Sequence, residues 1–179
     1  FQGNVSIVIS PELVIDSGQG NFFGEMSLIS GRRRSATIQG GDNCIVIETP
    51  RRVMNKLIAS IASVKRVLDE TFIVRTIQQR FAPSASIEEL LPIAKAAQLN
   101  EYGANEVIFA EGDKADSLHL IRSGSVTVCK SFGDKEIPMS YVAANNYVGE
   151  MGLLGNNDRS ATIRATVKTE TVSIDSDSF

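Results

Sequence analysis

Residues 23–38 read Phe-Gly-Glu-Met-Ser-Leu-Ile-Ser-Gly-Arg-Arg-Arg-Ser-Ala-Thr-Ile, and residues 148–163 read Val-Gly-Glu-Met-Gly-Leu-Leu-Gly-Asn-Asn-Asp-Arg-Ser-Ala-Thr-Ile. Aligned without gaps, 9 of the 16 positions are identical, and Gly24 and Gly149 stand 125 residues apart. A segment that recurs in this way marks one structural unit built twice. The agreement continues upstream, where Gly3-Asn4-Val5-Ser6-Ile7-Val8 pairs with Gly124-Ser125-Val126-Thr127-Val128-Cys129 at an offset of 121. The second copy therefore carries four more residues between this strand and the loop. Its turn-rich Ser131-Phe132-Gly133-Asp134-Lys135 is where a longer hairpin sits.

Around the repeat the pattern alternates between two periods. Residues 3–20, 41–49, 104–130 and 164–175 alternate apolar and polar side chains, broken by Gly, Asn and Asp, which predicts short antiparallel strands. From Pro50 to Phe81 the apolar residues Met54, Leu57, Ile58, Ile61, Val64, Leu68, Phe72, Ile73 and Ile77 recur at steps of three and four. That spacing predicts an amphipathic helix or two in series, with Pro50 in the first turn. Ala82-Pro83-Ser84-Ala85 ends it, and Ser86-Ile87-Glu88-Glu89 offers a capping box for a short helix that Pro92 must shorten or kink. Strands are expected to resume near Val107. The opening residues already alternate like a strand and the closing Asp175–Phe179 read like a helix start, so the chain is expected to be a fragment of a longer protein.

The repeated loop has the parts of an anion site. Gly24-Glu25 and Gly149-Glu150 set a glycine, able to adopt unusual φ and allow close backbone approach, beside a carboxylate. Met26-Ser27 and Met151-Gly152 begin about one helical turn, whose first amides face an anion. Nine residues after each glutamate stands an arginine, Arg34 or Arg159, followed by Ser35-Ala36 or Ser160-Ala161 and a strand start. A guanidinium fork matches two phosphate oxygens, and a carboxylate accepts from sugar hydroxyls. One loop so built reads both halves of a ribose phosphate. Arg32 and Arg33 add positive charge to the first copy, while Asp158 places a negative charge beside Arg159, so electrostatics favour the first.

Gly-Glu-hydrophobic-small-Leu-hydrophobic followed by Arg-small-Ala-Thr-hydrophobic resembles the phosphate-binding cassette of cyclic-nucleotide-binding domains. The stretch Phe109 to Gly124 resembles that family's early strands. The resemblance implies a mainly β fold with helices: two double-stranded β-helix (jelly-roll-like) β-rolls with flanking helices, over residues 1–85 and 86–179. It implies that Glu25 and Glu150 bind the ribose 2′-hydroxyl and that Arg34 and Arg159 bind the cyclic phosphate. Gly24, Met26, Ser27, Ser35 and Ala36 complete the first ligand-binding loop, and Gly149, Met151, Gly152, Ser160 and Ala161 the second. Serine after the arginine, rather than threonine, implies cAMP over cGMP. The helices that would close the second site are expected beyond Phe179.

Composition narrows the function. The chain has 179 residues, a formal net charge of −3, one histidine (His119) and two distant cysteines, Cys44 and Cys129. A catalytic triad, a metal site and a nucleic-acid partner are not expected, nor is any cofactor, and no apolar run has the length of a membrane span. A reducing, cytoplasmic setting fits the cysteines. The expected partners are a cyclic nucleotide and an effector domain or catalytic subunit outside these residues, with no membrane. Enzymatic activity is not expected; nor is a transcription factor, since a second β-roll follows the helices. The structural alternative is a degenerate fold acting as a nucleotide-free interaction scaffold, with Glu25–Arg34 a loop-holding ion pair. Met26 and Met151 are expected to serve as core residues, His119 as a packed side chain, and the 51–82 stripe as core and helix packing.

Overall fold

The computed structural model describes residues 3–155 and 158–178. Phe1 and Gln2 of the expected opening strand, Asn156 and Asn157 within the second loop, and Phe179 lie outside the described residues. The chain packs as two units, one ending at Leu68 and the other beginning at Asp69.

The first unit contains β1 (Val5–Ser10), β2 (Leu13–Ser17), α1 (Glu25–Ser30), β3 (Thr37–Gly40), α2 (Arg51–Ser60) and the start of α3 (Ala62–Arg80). Its three strands form one antiparallel sheet in the order β2-β1-β3. The long helical stretch is two helices in series, parted at Ile61, whose φ of −127° and ψ of 102° are extended. Pro50 stands one residue before α2, as its cap.

Two expectations for this unit are corrected. Residues 41–49 form no strand: only Ile45 makes a bridge, and Ile45, Val46 and Ile47 are 60%, 50% and 84% exposed. A strand needs ladder partners, and no ladder among the described residues pairs with this stretch beyond the single bridge at Ile45. The apolar stripe is core only along α3. No residue of α2 is buried; Met54 instead lines an open apolar groove of about 300 Å³ with Phe22, Ser63, Val64, Val67 and Leu68.

The second unit holds the rest of α3, then α4 (Ile87–Ala96), β4 (Gln98–Tyr102), β5 (Val107–Phe109), β6 (Ser117–Ser123), β7 (Ser125–Phe132), β8 (Lys135–Ala143), β9 (Tyr147–Val148), α5 (Glu150–Gly155), β10 (Thr162–Ala165), β11 (Thr169–Asp175) and a 3₁₀ turn at Ser176–Ser178. Two antiparallel four-stranded sheets, β5-β10-β7-β8 and β4-β11-β6-β9, make a β-roll. Ile121, Val126, Ala144, Val148 and Ile163 meet in its core. Phe72, Ile73, Val74 and Ile77 of α3 are also buried. Arg122 of β6 ties that helix to the roll, bonding Asp69 at 2.5 Å and also Glu170 of β11. The capping box forms at α4, where Ser86 Oγ accepts from the Glu89 amide at 3.3 Å and Glu89 Oε2 accepts from the Ser86 amide at 2.8 Å. The helix runs through Pro92 to Ala96.

Strands resume earlier than expected, at Gln98 rather than near Val107. β4 is an edge strand paired only with β11, and its Gln-Leu-Asn-Glu-Tyr lacks a clean alternation, so the ladder and not the side-chain pattern defines it.

The two units share a register. In the first, Val5, Ser6, Ile7 and Val8 pair with Gly40, Gln39, Ile38 and Thr37. In the second, Val126, Thr127, Val128 and Cys129 pair with Ala165, Arg164, Ile163 and Thr162. These are the same pairs after shifts of 121 and 125 residues. The four additional residues lie in the β7–β8 hairpin, which turns at Phe132↔Lys135 where β1–β2 turns at Ser10↔Leu13.

Candidate functional site

Each repeated loop begins with a left-handed glycine. Gly24 has φ +91° and Gly149 φ +95°, conformations that strain any residue with a Cβ. The turn leads into a six-residue helix, α1 or α5, directly from β9 in the second copy and from an irregular segment after β2 in the first, with Glu25 or Glu150 in the first turn, where the helix dipole favours a carboxylate. The loop then returns the arginine to the glycine. Nη1 of Arg34 donates to the Gly24 carbonyl at 3.0 Å, and Nη1 of Arg159 donates to the Gly149 carbonyl at 3.1 Å. A Cβ on Gly149 would stand 2.5 Å from Arg159 Nη1, so an added side chain there would displace the guanidinium.

Arg159 is the more organised arginine. It is 4% exposed. Its Nη2 donates to Ser117 Oγ at 3.1 Å and lies 3.6 Å from Asp116 Oδ1. Its Cζ sits 4.0 Å above the Phe109 ring, a cation–π arrangement. Its Nε is buried with no hydrogen-bond partner among the described residues. Burial lowers its pKa, and Asp116 and Asp113 oppose that shift. The expected electrostatic disadvantage from Asp158 takes another form here: Asp158 is exposed and bridged through its backbone to Lys114, while Asp116 is the carboxylate beside the guanidinium.

His119 lies behind Arg159 and is 7% exposed. Its Nε2 is 3.3 Å from Ser117 Oγ, its Nδ1 is 3.3 Å from Thr171 Oγ1, and its ring packs on Phe109 with centroids 5.4 Å apart. Burial first, and the neighbouring Arg159 charge second, push its pKa down to about 4, against the opposing pull of Asp116. The ring is therefore neutral at pH 7.

In the first unit Arg34 is exposed, as are Arg32, Arg33 and Ser35, and Ala36 is half-buried. Glu25 and Met26 are 3% and 6% exposed. Ser27 Oγ donates to the Gly24 carbonyl at 3.2 Å. Arg51, at the start of α2, donates to the carbonyls of Ser27 at 2.8 Å and Leu28 at 3.2 Å, tying the start of α2 to α1. In the second loop Glu150 and Ala161 are half-buried, Gly152 is buried and Ser160 is exposed. Ser160 Oγ lies 3.9 Å from Met151 Sδ. Met151 is 65% exposed, not a core residue as expected.

Among the loop residues named from sequence, the structure brings Arg34 and Ser27 to the Gly24 carbonyl, Arg159 to the Gly149 carbonyl and Ser160 beside Met151. Phe109, Asp116, Ser117, His119 and Arg51 were not singled out as site residues. A buried arginine implies a carboxylate partner, but only the pairing of β6 with β9 and β11 shows which one is near.

The family described as "Cyclic nucleotide-binding domain" matches residues 99–179. A cAMP-dependent protein kinase regulatory subunit of Mycosarcoma maydis is 26% identical over 156 residues, 87% of this chain and 29% of the relative. The chain thus spans under a third of that relative's length. The regulatory domain of Toxoplasma gondii PKA, solved with cAMP, matches with a TM-score of 0.57 at 21% identity, over 99% of this chain and 69% of that one. The regulatory subunit of a protein kinase A from Trypanosoma brucei, described as cAMP-independent, matches with a TM-score of 0.54 at 20% identity, over 98% of this chain and 64% of that one. At these identities the two structures establish the fold alone. With the family match, the β-roll and the arginine–glycine loop at its end, residues 99–179 carry a cyclic nucleotide-binding domain, and a cAMP-dependent protein kinase regulatory subunit is among the chain's relatives.

Proposed function

We propose that this chain is a regulatory sensor with two tandem cyclic-nucleotide-binding β-rolls, over residues 1–85 and 86–179, that binds cAMP in preference to cGMP and has no catalytic role. The observation that carries the reading is Arg159: a guanidinium 4% exposed, fixed on the Gly149 carbonyl and Ser117, with Nε left as an unpaired donor. A buried cation with spare donors suits an anion with several oxygens. In this reading Arg159 and Arg34 hold the cyclic phosphate, and Glu150 and Glu25 accept from the ribose hydroxyl. Gly24, Met26, Ser27, Ser35 and Ala36, and Gly149, Met151, Gly152, Ser160 and Ala161, shape the two loops. The shared register of β1–β3 and β7–β10 supports treating the first unit as a second copy of the domain. Binding draws the loop inward and shifts the adjoining helices, which pass the signal to an effector domain or catalytic subunit outside these residues. The two unpaired cysteine thiols, Cys44 and Cys129, fit a cytoplasmic setting.

Serine at positions 35 and 160 has a hydroxyl but not the methyl that fixes a threonine rotamer. One hydrogen bond of about 1 kcal/mol shifts selectivity only several-fold, so the cAMP preference is modest. A second reading, a nucleotide-free scaffold, is favoured by Asp116, which stands 3.6 Å from Arg159 and partly neutralises it. Calorimetry of the whole chain with cAMP and cGMP separates the two. Saturable binding with cAMP the tighter ligand supports the sensor; no heat with either nucleotide leaves the scaffold.

A further inference from the structure

Three arginines, Arg32, Arg33 and Arg34, immediately precede Ser35, and nucleotide binding uses only the last of them. All four residues are exposed and lie in the irregular segment between α1 and β3. A protein kinase needs a substrate that is exposed and outside regular ladders, and arginine-directed kinases select by pairing guanidinium groups with carboxylates in their cleft. Thr37 also follows the arginines, but it is committed to β3 by its pairing with Val8. Ser160, the counterpart of Ser35, is preceded by Asn157, Asp158 and Arg159, with one positive charge and one negative. The basic run therefore belongs to the first loop alone.

We propose that Ser35 is a phosphorylation site for an arginine-directed serine kinase, and that its modification closes the first nucleotide site while leaving the second open. The closing half rests on the nucleotide-binding reading above. The kinase transfers the γ-phosphoryl group of ATP: a bond forms between Ser35 Oγ and phosphorus, the bond from phosphorus to the β,γ-bridging oxygen breaks, ADP leaves, and the hydroxyl proton passes to the kinase base. The equivalent hydroxyl, Ser160 Oγ, lies 3.9 Å from Met151 Sδ, by the first turn of α5. By the repeat, a phosphoryl group on Ser35 falls by the first turn of α1, next in the chain to Arg34. It carries a charge of about −1.5 to −2 and three acceptor oxygens, so it takes the donors that the cyclic phosphate needs and repels that phosphate.

The test uses the whole 179-residue chain with ATP and a purified arginine-directed serine kinase, and an acidophilic kinase as control. Mass spectrometry locates the phosphate, and equilibrium dialysis with labelled cAMP counts bound nucleotide. Phosphate is expected on Ser35 with the first kinase only, with at least about tenfold less on Ser160, and with a rate reduced at least about tenfold in R32Q and in R33Q. First-site affinity is expected to fall at least about 30-fold on phosphorylation, so bound cAMP drops to one per chain. No incorporation at Ser35, or equal incorporation at Ser160, overturns the modification site. Incorporation at Ser35 with unchanged cAMP stoichiometry overturns the switch. If the unmodified chain binds no nucleotide, the sensor reading and the switch fail together, while the mass spectrum still decides the modification site.

Discussion

Arg159 and Arg34 occupy equivalent places and differ in what surrounds them. The first has a carbonyl, a hydroxyl, a carboxylate and an aromatic face within reach and is 4% exposed; the second is exposed and bonded to Gly24. A charged hydrogen bond to phosphate in a buried setting is worth about 2–4 kcal/mol, so R159A is expected to weaken cAMP at its own site by roughly 30- to 1,000-fold. R34A acts in the same direction at the first site and by less, because water competes there. R159K also weakens binding, since an ammonium lacks the planar fork. Titration of each variant by calorimetry, with circular dichroism to confirm the fold, checks this. Unchanged affinity in both alanine variants removes the arginines from the site. The second residue-scale prediction concerns acid. His119 is held neutral, its pKa depressed from 6.5 to about 4 mainly by burial. The unfolded chain takes up that proton near pH 6.5 and the folded chain only near pH 4. Stability carried by the neutral ring is therefore complete above pH 6.5 and declines as the pH falls towards 4, by on the order of 3 kcal/mol. Arg159 and Asp116 are the charged neighbours that act on the ring. H119Q is expected to lose less stability than the parent between pH 7 and 4.5 in urea unfolding. Parallel pH profiles for the two proteins would exclude the histidine as the titrating group.

At the scale of elements, the decisive feature is the left-handed glycine that opens the short helix, at Gly24 and Gly149. G149A is expected to force a left-handed backbone, at about 1–2 kcal/mol, and to push Arg159 off its carbonyl, lowering cAMP affinity at least about tenfold. Gly133, at the β7–β8 turn, is the control. It has φ +60° with nothing within 4 Å of an added Cβ, so G133A carries the backbone cost alone and leaves affinity unchanged. Equal losses of affinity in G149A and G133A would show that the effect is general destabilisation. The same scale explains what the sequence pattern missed. Residues 41–49 alternate like a strand but have no described ladder, whereas β11 in the second unit lies between β4 and β6. β4 was overlooked for the opposite reason: its side chains carry little pattern, and its backbone bonds to β11 define it.

For the whole molecule, the proposed tandem arrangement implies a count. Two cAMP molecules per chain are expected in equilibrium dialysis, falling to one in R34A or R159A and to none in the double variant at the same nucleotide concentration. cGMP should compete at several-fold higher concentration. A parent chain that binds a single nucleotide, lost in R159A and kept in R34A, would confine the site to the second unit.

The repeat, the offset between its copies, the glycine–glutamate–arginine spacing and the two-helix stretch are local properties, set by residue type and periodicity, and they were legible in the sequence. So was the capping box at Ser86 and Glu89, because a cap depends on neighbours three residues away. The surroundings of each arginine were not. Phe109, Asp116, Ser117 and His119 reach Arg159 only because β5, β6 and β10 fold over one another. The burial of Met26 and the exposure of Met151, at equivalent places in the repeat, likewise were not legible in the sequence. Side-chain chemistry and short-range spacing are written along the chain. Desolvation and charge pairing depend on what lies across it, and for Arg159 the tertiary structure alone decided them.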